Sequence, residues 1–196
     1  MSKFIVLEGI DGCGTTTQTS LLGSWFFKNY KNYPVILTRE PTYNRYGMEI
    51  RNLLSEGKKP EENGEKFLEL FVKDRKEQLK MFEFINAIII SDRHKHSTYA
   101  YQQAQGMSFE KIHKAHMGMK TPDITMIIDV PVNIALKRIG KRNRKDVFEQ
   151  KQFLEKVQQN YLKMPQQLNE NIVIINGNDS KEKVLEKIVH HVEKIL

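Results

Sequence analysis

Five short, almost uninterrupted apolar runs, at 3–8, 35–39, 87–92, 125–130 and 172–176, are spread along this chain with long amphipathic stretches between them. A strand wet on one face alternates apolar and polar residues. One that is apolar throughout must be covered on both faces, the condition of a parallel sheet between layers of helix. The intervals supply those helices. Leu21, Leu22, Trp25 and Phe26 recur at helical spacing after the first run, Phe67, Leu68, Phe71 and Val72 after Pro60, and Val184, Leu185, Ile188, Val192 and Ile195 near the end. This alternation predicts an α/β fold with a central sheet of five parallel strands flanked by helices. No repeat and no Pro/Gly/Ser-rich linker divides the 196 residues, so a single domain over 1–196 is expected. The polar stretches 42–46, 55–64 and 141–146 read as surface insertions.

No apolar run approaches the ~20 residues that a membrane helix needs. An acidic residue, Glu8, arrives before any signal-peptide apolar region forms, so a chain that stays in the cytoplasm is expected. The one cysteine, Cys13, cannot form an internal disulfide, which suits that compartment. A formal net charge of +7 attracts anions of any size, and its distribution is uneven. Lys137, Arg138, Lys141, Arg142, Arg144 and Lys145 place six cations in nine residues, with no carboxylate until Asp146. A solvated basic face is the ordinary explanation of such a run, but its self-repulsion favours a lid, about 138–148, that closes on phosphate. No basic groove lined with aromatics can be read, so nucleic acid is not an expected partner.

The first run leads straight into Gly9-Ile10-Asp11-Gly12-Cys13-Gly14-Thr15-Thr16-Thr17. A strand turning into a helix through three glycines can aim successive backbone N–H groups inward, and the helix N-terminus adds partial positive charge. This is the setting of a P-loop, G-x-x-x-x-G-K-[ST], whose Lys reaches the β/γ-phosphates and whose hydroxyl residue ligates Mg²⁺. Thr16 keeps the hydroxyl, Thr17 offers a neighbour, and Thr15 stands where the lysine belongs.

Further constellations fall at strand ends, where open α/β sheets bind ligands. Arg39-Glu40-Pro41 closes the second run, and Asp92-Arg93-His94 closes the third, with Arg93 suited to a bidentate grip on phosphate. Phe71 and Arg75, four apart, share a helix face, an arrangement fitted either to core packing or to stacking on a pyrimidine while a guanidinium meets its edge.

Taken in order, the segments 4–17, 38–41, 70–75, 92–102, 121–130 and 146–149 resemble the thymidylate kinase family, P-loop enzymes that phosphorylate dTMP from ATP. The resemblance implies an ATP and Mg²⁺ site at Gly9, Gly12, Cys13, Gly14, Thr15, Thr16 and Thr17, with Asp11 and Thr16 at the metal. It implies Phe71 stacked on thymine, Arg75 at the base edge, and Ser97, Thr98 and Gln102 near the base. Arg39 and Glu40 would border the substrate, Arg93 would hold its phosphate, and Tyr101 would occupy the space of a ribose 2′-hydroxyl. Because Gly12 stands where some family members carry a P-loop arginine, the lid arginines Arg142 and Arg144 would act on the transferring group. A homodimer is usual in the family. Two other readings stay open on sequence alone: a kinase for another nucleoside monophosphate, and a nucleotide-binding relative without turnover, suggested by Thr15.

Overall fold

The computed structural model describes residues 2–56, 63–140 and 144–196, and of 144–150 the backbone only. Along them run β1 (Lys3–Glu8), α1 (Thr15–Asn29), β2 (Val35–Arg39), α2 (Arg45–Ser55), α3 (Gly64–Phe82), β3 (Ile88–Asp92), α4 (Lys95–Ala104), α5 (Phe109–His116), β4 (Ile124–Asp129), α6 (Val132–Ile139), α7 (Arg144–Gln167), β5 (Ile172–Asn176) and α8 (Lys181–Glu193). The strands form one sheet in the order β2-β3-β1-β4-β5, every neighbour parallel. Each strand matches its apolar run to within one residue at either end.

Both faces of the three central strands, β3, β1 and β4, are buried, as their apolar runs require, whereas the edge strands β2 and β5 are only partly covered, with Leu37 and Ile174 exposed, because each lacks a neighbour on one side. Ile5 and Leu7 of β1 with Ile88 and Ile90 of β3 point into the larger core cluster, beneath Tyr99, Ile112, Leu154 and Tyr161. Phe4, Val6 and Ile89, on the intervening positions, point the other way onto Phe82 of α3. Among the described residues no helix is long and apolar enough to cross a membrane.

The stretch 42–46, expected to be an insertion, is partly helical. Asn44 accepts hydrogen bonds through its side chain from the N–H groups of Tyr46 and Gly47, which satisfies two first-turn donors and starts α2 at Arg45. Ile50 and Leu53 of α2 then pack on Phe67 and Leu70 of α3. This helix pair stands over one side of the carboxyl edge of the sheet. Residues 57–62 and 141–143, within the other two expected insertions, lie outside the described residues.

Candidate active site

Register brings the functional strand ends level. Leu7 of β1 and Arg39 of β2 both pair with Asp92 of β3, so the loops after these three strands open on one edge. Between β1 and α1 the backbone turns through Gly12 at φ 82° and Gly14 at φ 107°, conformations that side chains resist. A Cβ on Gly12 would also collide with the carbonyl oxygen of Ala135. Gly14 is the N-cap of α1, and the nearest atom to a Cβ built there is Arg138 Nη1 at 4.0 Å, so a cation stands beside the positive end of the helix, a setting suited to an anion. Thr15 is buried, whereas Thr16 and Thr17 are exposed on the first turn. Cys13 is packed into the core, and burial pushes its thiol up to about 11, so it serves as a small space-filler.

Thr16 donates its hydroxyl hydrogen to Asp92 Oδ2 at 2.5 Å. The other carboxylate oxygen, Asp92 Oδ1, is buried without a hydrogen-bond partner among the described residues. A hydroxyl beside an unpartnered carboxylate oxygen fits a hard divalent cation or its bound water. Asp92 was marked in the sequence as part of Asp92-Arg93-His94 but given no role at the metal. The available signal was a carboxylate ending an otherwise apolar strand, level with the loop hydroxyl. Asp11, expected at the metal, is instead half-exposed and paired with Arg93 at 2.8 Å. Among the described residues no three His, Cys, Asp or Glu side chains gather as a metal cluster.

Arg93 is the one non-glycine described residue with positive φ, 75°, a conformation that costs roughly 1–3 kcal/mol and persists only where its surroundings enforce it. Its N–H donates to Leu7 O at 2.9 Å and its own carbonyl accepts from Ser91 Oγ at 2.6 Å. Beneath it lies the fully buried carboxylate of Glu8, accepting from the N–H groups of His94 and Ser97 and the hydroxyls of Ser97 and Tyr161. Burial raises the Glu8 carboxyl, and His96 and Arg93 oppose that rise. This carboxylate caps the start of α4 from a distant strand and fixes the turn that presents Arg93. The guanidinium then reaches Gly9 O at 2.9 Å, Ser97 Oγ at 3.0 Å and Asp11, while lying 5.4 Å from the centre of the Tyr101 ring. Tyr101 Oη accepts from Asp11 N–H at 3.0 Å, which locks the ring against the P-loop.

A cavity of about 330 Å³ opens beside this arginine. The expected residues Asp11, Glu40, Phe71, Arg75, Arg93, Ser97, Thr98, Tyr101 and Gln102 all line it, joined by His94 and Phe67, which the sequence marked without a binding role, and by Phe153, which it did not mark. Phe153 reaches in from α7 with its ring centre 6.1 Å from that of Tyr101. An apolar residue at helical spacing carries no mark that separates it from core. Arg39 is not in this cavity; it is exposed and lines a neighbouring one with Thr16, Thr38 and Asp92. Arg142 lies outside the described residues and the side chain of Arg144 is not described.

The inner end of the cavity is a buried charged network. Arg75 donates through Nε to Glu40 at 2.9 Å and through Nη2 to Glu40 and to Thr98 Oγ1, and Nη1 faces His116 Nε2 at 2.6 Å. His94 Nδ1 donates to Glu40 Oε1 at 2.7 Å. Burial would raise the Glu40 carboxyl, but Arg75 and His94 outweigh it and hold the group at about 2. Burial pushes His94 down to about 4 and His116, with Arg75 adding to the effect, to about 3. Near neutral pH the network therefore holds one carboxylate, one guanidinium and two neutral imidazoles. Glu40 thereby holds Arg75 in place at the cavity wall that both residues line.

The parallel sheet, the glycine-turned loop at a helix N-terminus and an arginine beside an aromatic-lined cavity are the arrangement of a P-loop kinase. The family model for thymidylate kinase matches residues 7–188. A protein of Thermococcus onnurineus named "Probable thymidylate kinase" is 38% identical over 201 residues, covering 97% of both chains. One of the same name from Methanococcus aeolicus is 36% identical, covering 96% of this chain and 95% of its own. The crystal structure of thymidylate kinase from Ehrlichia chaffeensis superposes with a TM-score of 0.75 at 27% identity, over 97% of this chain and 98% of that one. This chain belongs to the thymidylate kinase family, the nucleoside monophosphate kinases that phosphorylate dTMP to dTDP.

Proposed function

We propose that ATP, as its Mg²⁺ complex, donates the γ-phosphoryl group at the P-loop, and that dTMP accepts it from within the cavity of about 330 Å³. The observation that carries this reading is Arg93, held in a strained conformation with one arm on the P-loop carbonyl of Gly9 and its side chain on the cavity wall. A guanidinium at that junction can bind the 5′-phosphate of a monophosphate and orient it toward the nest where the donor ends. Phosphoryl transfer asks for aligned oxygens and cancelled charge more than for covalent chemistry. Backbone N–H groups of the loop and of the first turn of α1, other than those of Asp11 and Cys13, which are bonded within the protein, would hold donor phosphates, and Thr16 with Asp92 would hold the metal, which neutralises charge on the phosphates when bound. Phe71 stacks on the base, Arg75 meets its edge from the buried end, and Thr98 and Gln102 border it. Tyr101, pinned by Asp11, fills the position of a 2′-hydroxyl.

Thr15 removes the mobile cation of the usual loop. Among the described cations, Arg138 of α6 reaches the loop, donating to Cys13 O at 3.1 Å and Gly12 O at 3.3 Å. Together with Arg142 and Arg144 of the basic segment, it supplies charge that the lysine would have given. The working unit is a cytoplasmic homodimer of single-domain chains.

A coupled assay of ADP release across nucleoside monophosphates, with ATP and Mg²⁺, tests the reading. The expected result is turnover with dTMP well above that with dCMP, dGMP or AMP. Binding of ATP without phosphoryl transfer to any of them would refute it. Thr15→Lys should leave kcat within a few-fold of the parent, because cations already serve the site, and a tenfold gain would refute that substitution of roles.

A further inference from the structure

His116 closes α5, stands outside every motif of the sequence, and is 4% exposed. Its Nδ1 lies 2.7 Å from Ile112 O. A carbonyl only accepts, so the ring proton sits on Nδ1 and Nε2 carries a lone pair. That lone pair faces Arg75 Nη1 at 2.6 Å, and the Arg75 donor inventory follows from it. A guanidinium has five N–H groups. Nε donates to Glu40, the two on Nη2 to Glu40 and Thr98, and one on Nη1 to His116. Among the described residues nothing takes the second N–H on Nη1, which leaves it to a ligand in the cavity that Arg75 lines.

Two consequences follow from a neutral acceptor at that place. It directs Nη1, so the remaining hydrogen has one orientation, and it adds no charge of its own. A single fixed donor matches a carbonyl oxygen on the pyrimidine edge. It opposes an exocyclic amino group, since donor then meets donor and neither is paired, the kind of mismatch by which buried polar groups reject an analogue. We propose that His116 is a positioning residue for base selection, holding Arg75 so that the site takes a 4-oxo pyrimidine nucleotide and refuses the 4-amino one. This rests on the reading of Arg75 at the base edge.

The test is steady-state kinetics of the full chain with dTMP and dCMP as acceptors. His116→Phe keeps a ring of similar size and removes the acceptor. Its KM for dTMP should rise about tenfold, the scale of a lost buried hydrogen bond, with kcat at saturation and the KM for ATP within twofold of the parent. The dTMP-to-dCMP ratio of kcat/KM should fall by a similar factor. His116→Gln, whose amide oxygen can take the place of Nε2, should restore that ratio to within about threefold of the parent. An unchanged ratio in His116→Phe, or equal loss of dTMP and ATP in both variants, overturns the proposal. Should His116→Phe fail to fold, His116→Met carries the same measurement. Arg75→Leu separates the two levels of inference. If it leaves the ratio unchanged, the base-edge reading of Arg75 fails. If it collapses the ratio while His116→Phe does not, that reading stands and the role of His116 alone is refuted.

Discussion

Glu40→Gln isolates the charge at the centre of the buried network. The native carboxylate is fully buried and takes hydrogen bonds from Arg75 Nε and Nη2 and from His94 Nδ1. The amide keeps one acceptor oxygen, while its NH2 group confronts Arg75 or His94, which are themselves donors. Arg75, 1% exposed, then loses the one carboxylate it is hydrogen-bonded to among the described residues. Removing one partner of a buried pair costs about 3–5 kcal/mol, and the surviving oxygen puts this change near the lower end, about 3 kcal/mol. For a chain of this length each kcal/mol moves Tm by ~2–4 °C, so a fall of roughly 6–12 °C is expected in thermal melts followed by circular dichroism at pH 7.5. Glu77→Gln breaks the surface pair of Glu77 with Arg45, whose side chain is 73% exposed, and serves as the control. Exposed pairs contribute little, so that variant should melt with the parent. A Tm for Glu40→Gln within 2 °C of the parent would refute the network as a source of stability. Equal falls in both variants would show that burial does not decide the difference.

Phe71→Ala should weaken dTMP binding by roughly 1–3 kcal/mol, the range for stacking of a base on an aromatic ring, with ATP affinity nearly unchanged; calorimetric loss of both ligands together would make Phe71 a packing residue. Tyr101→Ala opens the wall shared with Phe153 and should raise kcat/KM for the ribonucleotide relative to dTMP, whereas a constant deoxy-to-ribo ratio would take Tyr101 out of sugar selection. The two buried histidines set a pH dependence. An unfolded chain protonates each near pH 6.5, the native one only near 4 for His94 and 3 for His116, so between those values the folded state binds fewer protons and stability falls on acidification. Each contributes about 1.4 kcal/mol per pH unit in that window. Urea unfolding between pH 6.5 and 4.5 should therefore show a shallower slope for His116→Gln than for the parent, and identical slopes would count against a neutral His116.

The scaffold was legible because its signals are local. Apolar continuity marks strands buried on both faces, and the strand–glycine–hydroxyl order marks the phosphate nest, so β1 to β5 and the start of α1 fell where the pattern put them. The cavity was legible mostly through resemblance. Phe71 and Arg75 share a helix face by spacing, yet spacing could not say whether that face met core or ligand. Two features escaped for a physical reason. Asn44 starts α2 in a stretch rich in polar residues because a side-chain cap weighs more there than composition. His116 meets Arg75 from 41 positions away, a meeting that the packing of α5 on α3 creates and no periodicity announces. Arg39 is the converse case: adjacent to Glu40 in sequence and expected beside the substrate with it, it lines a different cavity because neighbours on an extended chain face opposite ways.

The buried carboxylate of Glu8 ties catalytic readiness to the order of folding. Its partners are 86 to 153 positions away along the chain, on the turn into α4 and on α7, so none can be gathered by a local nucleus. The strained turn at Arg93 thus gains its support from β1 once the central strands have paired, and its last contact, from Tyr161, once α7 has docked. Hydrogen exchange gives this a visible form: the amides of His94 and Ser97 should open only with global unfolding, as slowly as those of β1, although they border a solvent-filled cleft. A chain interrupted before α7 would carry the loop between β1 and α1 and most of the cavity walls, yet it would lack Phe153 from the cavity and Tyr161 from the Glu8 cluster, leaving Arg93 one hydrogen-bond partner short.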